Sequence, residues 1–125
     1  VDNVGSSFRN ARAFGASAVL LDDRCADPLY RKAVRTSMGT VLELPWTIAP
    51  IGAIVDALHT RGVPTLALTL EADAPDLARV LRGIATDVPI AFVVGNEGHG
   101  LSIDTRARCT HRARIPMAPG ADSLN

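Results

Sequence analysis

Continuous apolar runs recur at residues 18–21, 65–70 and 90–94, each bounded by Gly, Pro or acidic residues. Runs of strand length without polar alternation predict strands buried on both faces, as parallel sheets require. Residues 41–44 and 112–115 are weaker strand candidates. Between the runs the period becomes helical. Ile51, Ile54, Val55 and Leu58 stand at i, i+3, i+4 and i+7, after Thr47 as a candidate N-cap and before Gly62 as a stop. Leu77, Val80, Leu81 and Ile84 repeat the pattern after Asp73 and Pro75. Phe8, Ala11 and Phe14 mark a third helix, opened by Ser6 or Ser7 and closed by Gly15. Strands alternating with helices predict an α/β fold, an open and mostly parallel sheet with helices on both faces.

A length of 125 residues suits one domain, residues 1–125, and 47% hydrophobic with 21% charged residues is ordinary for a globular chain. Thirteen basic and thirteen acidic residues cancel, so net charge points to no partner. The patterning adds detail: residues 24–35 and the set Arg106, Arg108, Arg112 and Arg114 are locally basic, whereas acids gather over residues 71–76. All the cations except Lys32 are arginines, whose planar guanidinium suits phosphate contacts, although exposed arginines are commonly just solvated faces. Cys25 and Cys109 lack CxxC spacing or a nearby set of His ligands. No metal site is expected, and reduced thiols in a cytoplasmic protein are the favoured state over one disulfide. No segment reads as a membrane span or an export signal.

Three polar islands interrupt this frame. In the first, residues 2–11, Gly5 is read as freeing the backbone before a helix whose first turns carry Arg9. Arg9 and Arg12 then share the face opposite Phe8 and Phe14. A guanidinium near a helix start is electrostatically mismatched with the dipole, which hints at an anionic ligand. The second island follows the most hydrophobic strand and contains Gly95, Asn96, Glu97, Gly98, His99, Gly100 and Leu101. Its glycines bare the backbone at the carboxyl end of a strand, where α/β sheets place their sites. It is neither GxGxxG nor GxxxxGK[ST], and His99 reads as a bystander. The third, residues 115–125, is a Pro/Gly loop leading to a helix start capped by Asp122 or Ser123.

In this order and spacing the islands resemble the three signature motifs of the SpoU (TrmH-like) class of SPOUT RNA ribose 2′-O-methyltransferases. The first family motif reads approximately N-x-G-x-x-x-R-T-A, matched by Asn3, Gly5, Arg9 and Ala11, with Asn10 where threonine is usual; Ala13, Phe14 and Gly15 continue it. Ser37, Met38 and Gly39 match a companion turn that follows an amphipathic helix and precedes the strand ending in Leu44 and Pro45. G-x-E-x-x-G-[LIM] is met by Gly95, Glu97, Gly100 and Leu101. I-P-M-x-x-x-x-x-S-L-N is met by Ile115, Pro116, Met117, Ser123, Leu124 and Asn125.

The resemblance implies a C-terminal trefoil knot, S-adenosylmethionine held in it, a homodimer, and a ribose 2′-hydroxyl of tRNA or rRNA as the methyl acceptor. It places cofactor contacts at Gly95, Ile115 and Leu124, with Met117 and Gly100 beside them, and the catalytic set at Asn3, Arg9, Glu97, Ser123 and Asn125. Family members usually carry a strand before the first motif and a helix after the third, so the domain is expected to be truncated at both ends. A guanidinium is always protonated and a poor base, so Arg9 is expected either to stabilise the developing alkoxide or to clamp the adjacent phosphate. Glu97 would orient Arg9 or accept the proton; Ser123 and Asn125 would position by hydrogen bonding, and Asn3 would hold the loop or the ribose. Two rival readings are a noncatalytic RNA-binding or dimerisation module of the same fold, and a dinucleotide oxidoreductase. The latter lacks GxGxxG and the acid after the next strand.

Overall fold

The structure is a computed structural model that describes residues 2–121 and 124. It divides into two compact units, Val1–Ile54 and Val55–Asn125. In the first unit, helix α1 (Asp2–Ala13) leads to strand β1 (Val19–Asp22), helix α2 (Arg31–Thr36), a 3₁₀ turn (Thr40–Leu42) and strand β2 (Trp46–Ala49). Helix α3 (Ile51–Thr60) begins in the first unit and ends in the second. The second unit continues with β3 (Thr65–Leu68), α4 (Leu77–Arg82), β4 (Ala91–Val93), α5 (Ile103–Arg108) and β5 (His111–Ala113). All described ladders are parallel: β1 pairs with β2, and β3 pairs with β4 on one edge and β5 on the other. The α/β alternation is therefore as expected, with the described strands in a two-stranded and a three-stranded ladder.

Burial follows ladder position. Thr65, Leu66 and Ala67 of the central strand β3 are fully buried, as the apolar run predicted. The prediction of burial on both faces fails for β1 and β4, where Leu20 is 41% and Phe92 50% exposed. Each of these strands has a described ladder partner on one side only. The first unit packs Phe8 of α1, Leu21 of β1 and Val41 into one core cluster, flanked by Val4, Val19, Val34, Leu44 and Trp46. Removing a buried aromatic such as Phe8 costs about 3–5 kcal/mol through lost transfer energy and the cavity left behind.

Four local expectations are corrected. Helix α1 has already started at Asp2, so Ser6 and Ser7 lie inside it and the Ser7 hydroxyl donates to the Asn3 carbonyl at 2.7 Å. Phe14 is 88% exposed and does not share the core face of Phe8, because the helix ends at Ala13 and the chain turns at Gly15 with φ 77°. Residues 41–44 form no strand. Gly39, with φ 82°, opens a 3₁₀ turn there that buries Val41, and the strand forms five residues later, over Trp46–Ala49. Thr47 is a strand residue and no cap; Pro50 precedes α3 instead.

The start of α3 is satisfied from a neighbouring element. The peptide N–H of Ile51 donates to Asp22 Oδ1 at 3.0 Å, and Arg24 Nε donates to Asp22 Oδ2 at 2.9 Å. Partial burial raises the Asp22 pKa, but the Arg24 hydrogen bond, the Ile51 N–H and the Arg24 charge outweigh it and hold the carboxyl below the usual range. In the second unit, Thr65 and Thr110 lock β3 to β5: Thr65 N–H donates to Thr110 Oγ1 at 2.7 Å, Thr110 N–H to Thr65 Oγ1 at 3.0 Å, and Thr110 Oγ1 to the Thr65 carbonyl at 2.8 Å. Helix α5, absent from the hydrophobic pattern, starts at the Ser102 cap, whose Oγ accepts from Thr105 N–H at 3.1 Å.

Gly5 lies within α1, against α2. A Cβ there would stand 2.7 Å from Thr36 Cβ and 2.8 Å from the Ala33 carbonyl oxygen. Glycine here permits close helix packing and does not free a loop. Gly5→Ala is expected to destabilise the protein by about 2 kcal/mol in urea unfolding through overpacking. A gain in stability, which helix propensity alone would give, would refute the close-contact account. Asp22→Ala is expected to cost about 1 kcal/mol at neutral pH, as for a lost helix cap. Because the folded pKa is depressed, the contribution is full above about pH 4 and is lost as pH falls through the lowered value. The difference between variant and parent in unfolding experiments should therefore shrink toward pH 2.

Candidate functional site

Parallel pairing on both edges of β3 brings the carboxyl ends of β4, β3 and β5 to one edge of the three-stranded sheet. Three segments leave from that edge: residues 94–101 after β4, 69–76 after β3, and 114–121 after β5. The second island and residues 115–121 of the third, separated in sequence, are thereby placed at the same edge on either side of β3. This is the position at which open α/β sheets hold ligands.

The glycine loop is folded on itself. Asn96 and Gly100 form an antiparallel bridge, Gly100 N–H donates to the Asn96 carbonyl at 2.9 Å, and His99 N–H donates to Asn96 Oδ1 at 2.7 Å. Gly100 adopts φ 62°. A Cβ on Gly95 would stand 2.2 Å from the Gly100 carbonyl carbon and 2.5 Å from Leu101 N. The expectation that these glycines simply bare the backbone is thus half right: Gly95 is needed because the loop's own backbone fills the space beside it. The N–H groups of Glu97 and Gly98 make no hydrogen bond among the described residues. Glu97 is exposed, and among the described residues its carboxylate has neither an ion pair nor a hydrogen bond.

Around this edge, apolar side chains remain in solvent: Val94 is 61% and Ile115 41% exposed, while Met117 is half-buried; Leu124, farther along the chain, is 61% exposed. Ser123 and Asn125 lie outside the described residues. Asn3 and Arg9 both ride on α1 in the first unit and both are exposed. Arg9 falls in the middle of this 12-residue helix, not at its start, so the argument from dipole mismatch lapses. Its guanidinium makes no ion pair or hydrogen bond among the described residues, unlike its neighbour Arg12, which pairs with Glu43 at 3.0 Å.

The two charge clusters noted in the sequence neutralise one another. Glu71 Oε1 forms an ion pair with Arg106 Nη1 at 3.3 Å, and Glu71 Oε2 accepts from Arg112 Nη1 at 3.1 Å. Arg112 also lies 3.6 Å from Asp73, Arg114 pairs with Asp76 at 3.4 Å, and Arg108 pairs with Asp104 at 3.1 Å and Asp56 at 3.5 Å. In the sequence the acids of 71–76 and the arginines at 106, 112 and 114 stand far apart; their opposite signs are the signal that they meet. A cavity of about 430 Å³ lies beside this network, lined by Glu71, Ile103, Arg106, Cys109, Thr110 and Arg112 among others. None of Gly95, Glu97, Gly100, Ile115 or Met117 lines it, and its charged groups already pair with each other.

Both thiols are free. Burial is the main cause that pushes Cys25 and Cys109 upward, which keeps them protonated at neutral pH and poor as nucleophiles. Among the described residues no three His, Cys, Asp or Glu side chains gather as metal ligands, and no helix is long and apolar enough to cross a membrane.

Comparison with known proteins agrees with the residue pattern. The model of the SpoU rRNA Methylase family matches residues 1–125. The chain is 40% identical over 125 residues to an uncharacterized tRNA/rRNA methyltransferase of Mycobacterium bovis, covering 99% of this chain and 43% of that protein. A Bacillus subtilis 23S rRNA guanosine 2′-O-methyltransferase is 30% identical over 98% of this chain and 48% of its own length. The chain thus spans less than half of these curated relatives. An AdoMet-bound rRNA methyltransferase from Sinorhizobium meliloti superposes with a TM-score of 0.86 at 34% identity, over 99% of this chain and 46% of that one. With a family model that spans all its residues, this chain belongs to the SpoU rRNA Methylase family.

Proposed function

We propose that this chain carries the cofactor-binding and catalytic part of an S-adenosylmethionine-dependent enzyme that methylates a ribose 2′-hydroxyl in rRNA or tRNA. The observation that carries the reading is the convergence of the second motif and the start of the third, Ile115, Pro116 and Met117, at one carboxyl edge of the β4-β3-β5 sheet. That edge suits the cofactor chemically. Peptide N–H groups at Glu97 and Gly98, without a partner among the described residues, and the exposed apolar side chains of Val94 and Ile115 offer both polar and apolar contacts. S-adenosylmethionine, when bound, supplies an activated methyl group on sulfur. Gly95 and Gly100 keep the loop closed, and Ile115, Met117 and Leu124 would contribute backbone and apolar contacts on the other side of β3.

In-line transfer to a hydroxyl demands alignment above all, and alignment supplies most of the rate. Arg9, a permanent cation with no described partner, is assigned to stabilising the oxygen as it loses its proton or to gripping the adjacent phosphate. Glu97 is assigned to taking the proton, and Asn3, Ser123 and Asn125 to positioning. The reading carries with it the knotted C-terminal topology, a homodimer and a cytoplasmic setting, as expected of the family.

Calorimetry with S-adenosylmethionine, followed by transfer of labelled methyl to total RNA and mapping of the labelled nucleotide, tests the reading. Binding without transfer would favour the noncatalytic module. Arg9→Ala is expected to lower transfer by about 10²-fold or more with cofactor affinity unchanged, in the range of a lost transition-state donor. Transfer at the parental rate would remove Arg9 from the mechanism. Gly95→Ala, which forces a Cβ into the Gly100 backbone, is expected to weaken cofactor binding by about tenfold or more, roughly 1.4 kcal/mol. Unchanged affinity would show that the loop's closed form is not the binding form.

A further inference from the structure

The segment after β3 is tied to β5 more heavily than a connecting loop requires. Thr69 N–H donates to the Ala113 carbonyl at 3.0 Å, Arg114 N–H to the Pro75 carbonyl at 2.9 Å, and Leu77 N–H to the Arg114 carbonyl at 2.8 Å. Residues 69–77 therefore line the last residues of β5 up to Arg114 and release the chain at Ile115, the first residue of the third motif. Glu71 is the electrostatic centre of this brace. One of its oxygens takes the Thr69 hydroxyl at 3.2 Å and Arg106 at 3.3 Å, and the other takes Arg112 at 3.1 Å. One carboxylate thus joins the loop, helix α5 and strand β5. Isolated surface ion pairs contribute little, but a shared carboxylate among half-buried partners couples three elements; its removal takes away the one described ion-pair partner of Arg106 and leaves Arg112 with Asp73 alone, at 3.6 Å.

We propose that Glu71 is a positioning residue for the cofactor: by holding Arg106 and Arg112 it fixes the 69–77 segment against the exit of β5, and so sets where Ile115 and Met117 stand. The inference rests on the proposed role of Ile115 and Met117 in binding S-adenosylmethionine and extends it to a residue outside the three motifs. Glu71 touches neither reactant in this account. It acts through the backbone it anchors.

The test compares the purified parent, Glu71→Gln, Arg112→Gln and the double variant Glu71→Gln/Arg106→Gln, by calorimetry with S-adenosylmethionine and by methyl transfer to RNA. Measurements are made at a temperature where circular dichroism shows each protein folded. Glu71→Gln is expected to raise the Kd for S-adenosylmethionine about tenfold while the rate at saturating cofactor stays within about twofold, a split that general loss of stability would not produce. Removing the second charge in the double variant is expected to recover at least half of the lost affinity on a logarithmic scale. A parent that binds and a folded Glu71→Gln that binds equally well would overturn this proposal and leave the functional reading standing. A parent that does not bind would overturn both. If Glu71→Gln does not fold, Arg112→Gln decides: a raised Kd supports the brace and an unchanged Kd overturns it. A double variant no better than the single one would also overturn the charge-balance role assigned to Glu71.

Discussion

Strand β3 accepts a parallel neighbour on each edge, and much of the second unit follows from that arrangement. Parallel pairing cannot be closed by a hairpin, so each partner must return through a crossover that carries a helix. Here α4 lies between β3 and β4, and α5 between β4 and β5. Because all three strands run the same way, every loop that follows a strand leaves from one edge. Thr65 and Thr110 close the opposite end of the β3 and β5 pair by three hydrogen bonds, which fixes the register in which Leu66 faces His111 and Leu68 faces Ala113.

At the carboxyl edge the three loops are built on different principles. The loop after β4 holds its shape through backbone closure between Asn96 and Gly100, with Gly95 leaving room for that closure. The loop after β3 is held by charge, through Glu71 and its arginines. The segment after β5 is tied to the 69–77 loop at Arg114, and its next residue, Ile115, is left partly in solvent. Rigid backbone next to exposed apolar side chains is what a small-molecule site needs: order achieved before binding, and surface left to bury on binding. The first unit uses another device, a glycine that lets α1 and α2 approach, which puts Arg9 on a helix anchored by buried Phe8 one residue away.

What the sequence determined by itself was the class of the fold and the identity of the family. Short continuous apolar runs bounded by Gly, Pro or acids marked β1, β3 and β4 within a residue or two, although only β3 is buried throughout its central residues; the helices ending at Gly15 and Gly62 were placed by the glycines that adopt φ 77° and 70° there. The motif residues Asn3, Arg9, Gly95, Glu97, Gly100, Ile115 and Met117 are recognisable because their types and spacing are unusual, whatever their environment. Tertiary structure alone decided the rest. Gly5 looks like a loop glycine until α2 is seen against it, and residues 41–44 look like a strand until Gly39 turns the chain and buries Val41 in a 3₁₀ turn. Arg106, Arg112 and Arg114 carry guanidinium groups suited to phosphate, but the parallel register takes them to the acids of 71–76, about 40 residues away in sequence, as in the 41-residue separation of Arg112 and Glu71. Local patterns report local conformational preference and burial, whereas the partner of a charge or the neighbour of a glycine is set by which distant elements pair. No periodicity records that.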